Sequence, residues 1–310
     1  MLPLPPLSWE APDRLDEGLA LAAEPGARVI AGGTDLVPIM KHRLFLPTLV
    51  VSLSRIRELA DIHVEGAGLS IGAGMSLAAV ARHPEVLRRH PALAAACRTV
   101  ATPTIQGMGT LGGNLMLDTR CLYYNQPAGW RAALGGCLKA DGTVCHVART
   151  GTGCYAAHSA DTVPVLWLVG ATLTLRSRAG ERQLALPDLF SEDGREGPRI
   201  APGEILTRIA LPPPGPPMVH RKVHLRGTID YPALLVAAQR TGDGARAVIS
   251  ALGPRPLYVE TERAADLLEL AWAAARPLPT HAMATTWRKH MVRVEVRRAL
   301  QALAADPADG

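Results

Sequence analysis

The chain has 310 residues, 48% of them hydrophobic and 20% charged, with a formal net charge of +5. That apolar content supports a sizeable core and, at roughly 100–200 residues per domain, about two domains; it excludes a disordered chain. The positive charge does not imply nucleic-acid binding, because 29 of the 33 basic residues are arginines scattered among acidic ones, with no basic block interleaved with aromatics.

Residues 1–10 are Pro-rich and lack a basic n-region, so no signal peptide is expected. Residues 28–31 form a β-prone run that leads directly into Gly32-Gly33-Thr34-Asp35, and residues 36–43 read as a helix. Strands are expected over 47–53 and 69–72; Ser76 then suits the N-cap of a helix over 77–82. Residues 91–100 have the Ala-rich character of a buried helix. The stretch 163–175 passes from a helical pattern into a Thr-Leu alternation of strand type. Its apolar part, 163–171, is about half the roughly 18 residues a membrane span needs, so a cytoplasmic protein free of the membrane is expected. Residues 176–216 carry Gly, Pro and charge with little periodicity. They end in the run Pro212-Pro213-Pro214-Gly215-Pro216-Pro217, which marks a boundary near residue 217. Beyond it, 233–239 and 246–252 are apolar, and 264–275 and 285–304 are helical. Strands and helices alternate over the first 175 residues or so, as in an α/β or α+β fold.

Two glycine-rich turns carry the chemistry. In Ala31-Gly32-Gly33-Thr34-Asp35-Leu36, the glycines allow a tight turn and a close approach of backbone N–H groups to a ligand. The positive end of the following helix would favour a pyrophosphate. The pattern is neither G-x-G-x-x-G nor a P-loop. The second turn, Gly107-Met108-Gly109-Thr110-Leu111-Gly112-Gly113-Asn114, has four glycines in seven residues, a costly segment expected where a ligand or another backbone comes close. Thr110 can bond a phosphate and Asn114 can brace the loop. Two such turns favour a dinucleotide cofactor over plain connectors.

Four of the five cysteines, Cys121, Cys137, Cys145 and Cys154, fall within 34 residues, spaced C-x15-C-x7-C-x8-C. No C-x-x-C pair occurs, which argues against most zinc knuckles. Four thiolates can hold zinc or an iron–sulfur cluster, and four unrelated buried thiols are the plain alternative. Cys97, on an apolar helix, reads as an inert core thiol.

Ala31 to Leu36, Gly109 to Asn114, Ser159-Ala160-Asp161 with Pro164, and Lys222-x3-Arg226-x3-Asp230-Tyr231-Pro232 occur in that order. Together they resemble the FAD-binding subunit of molybdenum hydroxylases, the xanthine dehydrogenase family, over nearly the whole chain. The segment 118–126 and the four cysteines further resemble the β subunit of 4-hydroxybenzoyl-CoA reductase, which carries an additional [4Fe–4S] cluster. The chain departs from the family at Gln106-Gly107, where many relatives have Arg-Asn.

The resemblance implies an α+β fold. A two-part FAD-binding domain would span residues 1–216, with subdomains of about 1–58 and 59–216 and an iron–sulfur insertion at about 118–158. A smaller C-terminal α+β domain would span 217–310. It also implies site residues. Val29, Ile30, Ala31, Gly32, Gly33, Thr34, Asp35 and Leu36 would wrap the FAD pyrophosphate. Gly109, Thr110, Leu111, Gly112, Gly113 and Asn114 would form a second phosphate and ribityl contact. Asp161 would bond the ribityl or adenosine side, Leu206 would pack near the adenine or flavin, and Lys222 would lie near the isoalloxazine. Cys121, Cys137, Cys145 and Cys154 would be the cluster ligands, and Arg226 with Asp230 would fix the inter-domain geometry by pairing.

By the same resemblance, this is an electron-transfer subunit of a molybdenum enzyme with no catalytic residue of its own. Its partners would be a molybdenum-binding large subunit and a [2Fe–2S] small subunit, in a dimer of heterotrimers, with a ferredoxin-like protein as external donor or acceptor. The first reading is reductive removal of a phenolic hydroxyl from an aryl-CoA. The alternative is an oxidative hydroxylase or dehydrogenase of another aromatic or heteroaromatic substrate. A zinc-binding structural module and a flavoenzyme acting alone are the remaining readings.

Overall fold

The computed structural model describes residues 3–227 and 229–305; the outermost residues of the two expected domains, 1–2 and 306–310, lie outside them. The chain opens with β1 (Ser8–Glu10), α1 (Leu15–Ala22), β2 (Ala27–Ile30), α2 (Leu36–Lys41) and β3 (Leu49–Ser52). The strands form a parallel sheet of order β1-β3-β2. Parallel neighbours need a crossover, and α2 lies in the one joining β2 to β3. The central strand β3 is buried along its whole length, which is why it reads as a nearly unbroken apolar run.

A second, antiparallel sheet begins with β4 (Ile62–Glu65) and β5 (Gly68–Gly72). The helices α3 (Leu77–Arg82), α4 (Pro84–Arg89), α5 (Pro91–Arg98), α6 (Pro103–Met108) and α7 (Leu111–Leu115) follow. Ser76 caps α3 as expected, its hydroxyl accepting from the Ala79 N–H at 3.1 Å. After α8 (Ala128–Ala133) and α9 (Val163–Val169), the chain returns to this sheet through β6 (Thr172–Ser177), β7 (Gly180–Ala185) and β8 (Ile205–Leu211). The order is β4-β5-β8-β6-β7. Residues 176–216 are therefore not a structureless boundary. β8 runs through the middle of the sheet, and β7 is an exposed edge strand whose charged sequence needs no apolar alternation.

The Pro212–Pro217 run carries the chain from β8 to a third sheet, formed by β9 (Met218–Val223), β10 (Leu234–Thr241), β11 (Gly244–Ser250) and β12 (Leu257–Thr261) in the order β12-β11-β10-β9. Helices α10 (Leu267–Ala274) and α11 (Thr285–Ala304) cover one face. Leu234, Val236 and Ala238 pack there with Val292, Val296 and Ala299, while Ala237 and Val248 join the core of the second sheet. Arg288 of α11 is fully buried and donates to the carbonyls of Ala233, Leu278 and Ala251; burial lowers its pKa to about 10. The architecture is α+β, as expected. No helix among the described residues is long and apolar enough to cross a membrane.

Candidate functional site

The first glycine turn leaves β2 with Gly33 at φ +71°, a left-handed conformation that favours glycine. A Cβ added to Gly32 would lie 1.8 Å from the Met108 carbonyl oxygen. The first turn therefore rests, backbone to backbone, on the end of α6, and the two glycine motifs make one structure. The second motif is not an open turn. It comprises the end of α6 and the start of α7, with the Thr110 hydroxyl accepting from the Gly113 N–H at 3.0 Å. Its glycines serve close approach: a Cβ at Gly112 would sit 2.7 Å from the Ala73 carbonyl oxygen. Asn114 braces the motif, as expected. Its Oδ1 accepts from the Thr162 hydroxyl at 2.6 Å, tying α7 to the Ser159-Ala160-Asp161 segment.

These motifs line one cleft of about 940 Å³, at the upper end of the roughly 300–1,000 Å³ typical of small-molecule sites. Val29 to Leu36, Gly109, Thr110, Gly112, Gly113, Asn114, Asp161 and Leu206 all contribute to its wall. Leu111 does not; it is fully buried in the core beneath. Lys222 is also set back. Its Nζ lies 2.6 Å from Asp161 Oδ1 and donates to the Thr99 carbonyl at 2.8 Å, so it acts on the cleft through Asp161. Burial pushes the Asp161 carboxyl above its usual range, against the pull of the ammonium.

Arg226 and Asp230 do pair, but within one loop: the Arg226 N–H and guanidinium both donate to the Asp230 carboxylate, at 2.6 and 2.9 Å. A separation of four residues is too short for the pair to bridge domains. The bond that crosses from this loop is the Tyr231 hydroxyl donating to Asp35 Oδ1 at 2.6 Å, beside Arg120, which donates to the same oxygen at 3.2 Å.

Residues 118–158 contain one helix, α8, and are otherwise irregular. Their ends are clamped by a bridge in which Arg120 and Ala157 exchange N–H···O bonds at 2.9 and 2.8 Å. Inside, Cys121, Cys137, Cys145 and Cys154 share one buried cluster with Tyr124, Val147 and Ala156, and none forms a disulfide. Burial raises the Cys121 thiol, with Cys137 and Cys145 adding to the rise, and pushes Cys154 up to about 12. No three His, Cys, Asp or Glu groups among the described residues are gathered tightly enough for a single metal ion. The four thiols share one buried neighbourhood but form no zinc-sized tetrahedron, for which zinc–sulfur bonds of about 2.3 Å are required. Cys97, buried on α5, is pushed up to about 12 by burial and is the inert thiol expected.

The cleft and the cysteine nest share a wall. Tyr124 and Lys139 line the cleft, and Tyr124 also belongs to the nest, where its N–H donates to Cys121 Sγ at 3.3 Å. Sequence reasoning missed Tyr124, Asp118, Lys139 and Tyr231 as wall residues, although Tyr124, Asp118 and Tyr231 stand in segments it had marked. One signal was available: lysine is rare in this arginine-rich chain, and two of its four lysines, Lys139 and Lys222, are each buried beside a carboxylate of the cleft.

Residues 5–214 match the family of the FAD binding domain in molybdopterin dehydrogenase. The chain is 31% identical over 279 residues to the aldehyde oxidoreductase FAD-binding subunit PaoB of Escherichia coli, covering 83% of this chain and 87% of that one. It is 25% identical over 317 residues to subunit alpha of the 6-hydroxypseudooxynicotine dehydrogenase complex of Paenarthrobacter nicotinovorans, covering 96% and 94%. Among solved structures, a chain of quinoline 2-oxidoreductase from Pseudomonas putida 86 shares the fold with a TM-score of 0.77 at 23% identity, over 98% of both chains.

Proposed function

Because the chain belongs to the family of FAD-binding domains of molybdopterin dehydrogenases, we propose that it is the flavin-carrying electron-transfer subunit of an oxidative molybdenum hydroxylase or dehydrogenase acting on an aromatic or heteroaromatic substrate. The observation that carries the proposal is the contact of Gly32 on Met108, which joins the two glycine motifs into one cradle at the cleft. The oxidative direction displaces the aryl-CoA reductive reading as the first choice, because the curated relatives named above are an aldehyde oxidoreductase and a dehydrogenase. The reductive reading retains one specific support, the four-cysteine insertion and its resemblance to 4-hydroxybenzoyl-CoA reductase.

FAD supplies the redox chemistry, accepting an electron pair and releasing electrons singly; the chain binds, orients and shields it. Main-chain groups of Ala31 to Asp35 and of Gly109 to Gly113 would hold the pyrophosphate, since both turns line the cleft. Asp161, fixed by Lys222, would hold ribityl or adenosine hydroxyls, and Leu206 would pack on a ring. Cys121, Cys137, Cys145 and Cys154 would ligate a [4Fe–4S] cluster. The donor set suits such a cluster in kind: four thiols, all buried in one neighbourhood and none in a disulfide.

The partners would be a molybdenum-binding large subunit and a [2Fe–2S] small subunit, in a dimer of heterotrimers, with a ferredoxin-like carrier at the cluster. A division into domains at residues 1–216 and 217–310 is supported by the Pro212–Pro217 run, which separates strands of two different sheets. The test is an anaerobic visible spectrum of the purified chain, with flavin, iron, sulfide and zinc counted. Flavin with about four irons and four sulfides per chain is expected, the content of one [4Fe–4S] cluster. Flavin without iron, even after anaerobic reconstitution, would remove the cluster; zinc without flavin would overturn the whole reading.

A further inference from the structure

We propose that Lys139 is a shared positioning residue: its fixed ammonium, in the wall between the cleft and the cysteine nest, sets the balance of electron exchange between the groups held on its two sides. The inference rests on the reading that the cleft holds FAD and the four cysteines hold an iron–sulfur cluster.

The geometry leaves the ammonium little freedom. The Lys139 side chain is 5% exposed, and its three N–H donors meet three acceptors: Asp118 Oδ1 at 2.7 Å, the Thr119 hydroxyl at 2.5 Å and the Gly194 carbonyl at 2.5 Å. Lys139 follows Cys137 by two residues, in a turn where the N–H groups of Ala140, Asp141 and Gly142 all donate to the Cys137 carbonyl. On its other side it lines the cleft, and its Nζ stands 5.1 Å from the centre of the Tyr124 ring, the element common to both sites. A cation held here acts on both redox groups through low-dielectric surroundings, where charge is poorly screened.

The transfer involved is one electron. The donor group is oxidised by one unit and the acceptor reduced by one, with no bond made or broken at Lys139. At fixed protonation each one-electron reduction adds one negative charge to its group, so the ammonium would stabilise reduction on both sides and favour the nearer site more. A residue serving only to pack the wall would lack this sign.

The experiment uses the full-length chain reconstituted anaerobically, with flavin and iron counted before potentiometric titration followed by visible and electron paramagnetic resonance spectra. Wild-type protein that takes up no iron or no flavin defeats the underlying reading. With both groups loaded, Lys139→Met is expected to lower both midpoint potentials, the nearer by at least a tenfold change in equilibrium constant, which is about 59 mV for a one-electron couple. Lys139→Arg is expected to restore them. Asp118→Asn, which removes the opposing carboxylate, is expected to raise them. Unchanged potentials, or shifts of the same sign in Lys139→Met and Asp118→Asn, overturn the inference. If Lys139→Met does not load, Asp118→Asn decides alone: an upward shift supports the inference and no shift overturns it.

Discussion

The glycine cradle and the cysteine nest stand side by side but are held in opposite ways. Main-chain bonds between regular elements fix the cradle: the Leu77 N–H donates to the Gly109 carbonyl at 2.8 Å, and those of Leu111 and Gly112 donate to Met75 and Ala73 at 2.9 Å. Side chains fix the nest. Arg131, 5% exposed, donates to the Gln126 carbonyl at 2.5 Å and to Asp141 at 3.0 Å, and Asp141 in turn accepts from the Cys137 N–H at 2.8 Å. Asp193 does the same for the Cys154 N–H at 3.2 Å. The cradle can therefore be broken by adding atoms, and the nest by removing them.

The largest separation is expected from Gly32→Ala. The obstacle is a backbone carbonyl, which cannot swing aside, and overpacking of this kind costs about 1–3 kcal/mol or more. Flavin per chain after dialysis should fall at least tenfold, whereas Gly107→Ala, with nothing within 4 Å of its new methyl, should retain the wild-type content. Equal flavin in both variants would mean that the two turns do not cooperate.

Arg131→Met tests the other side. Removing Arg131 leaves the Gln126 carbonyl and the half-exposed Asp141 carboxylate without their donor, at a cost of about 1–3 kcal/mol, here confined to the insertion. Iron retention should collapse while flavin content holds; joint loss of both would show that the nest and the cradle are one unit.

The smallest effect is graded with pH. His158, just beyond the insertion's clamp, is buried and His220, on β9, is half-buried, and desolvation lowers each to about 4. As pH falls below the ordinary value of about 6.5, the unfolded chain takes up these protons before the folded one does. Their contribution to stability is thus complete above about 6.5 and is lost on the way down to 4, at up to about 1.4 kcal/mol per pH unit for each histidine. Thermal melts between pH 7 and 4.5 should show the decline, and His158→Phe should shallow it. Asp193 is held down to about 2, chiefly by Arg195, so its support for the nest is lost only as pH falls from about 3.9 toward 2. A melting temperature constant between pH 7 and 4.5 would contradict the histidine assignment.

The sequence announced the cradle better than the nest. Gly32, Gly33, Gly109 and Gly112 stand out because glycine is costly where it is not needed, and the Ser76 cap followed from local chemistry alone. β7 and β8 were hidden because charge and nearby Gly and Pro mask a strand whose partners are β6 and the distant β5. The four cysteines were visible as a group, but nothing local indicated that Tyr124 and Lys139 would face both them and the cleft. Tyr231 reaches Asp35 across 196 positions of chain, a contact only the folded sheets create. Leu111 and Lys222 lie within recognised motifs yet behind the wall, because a motif gives the neighbourhood of a side chain and not its direction.

That long contact also has a consequence in time. Asp230 and Tyr231 wall a cleft whose first turn is made of residues 31–36, so the ribosome delivers its two sides about 200 residues apart. At roughly 5–20 residues per second, the interval is on the order of 10–40 s. Throughout it the emerging chain carries a half-walled groove, and the groove gains its remaining side only as the third sheet is synthesised. Cofactor capture with all walls present thus waits until residues 230 and 231 have emerged.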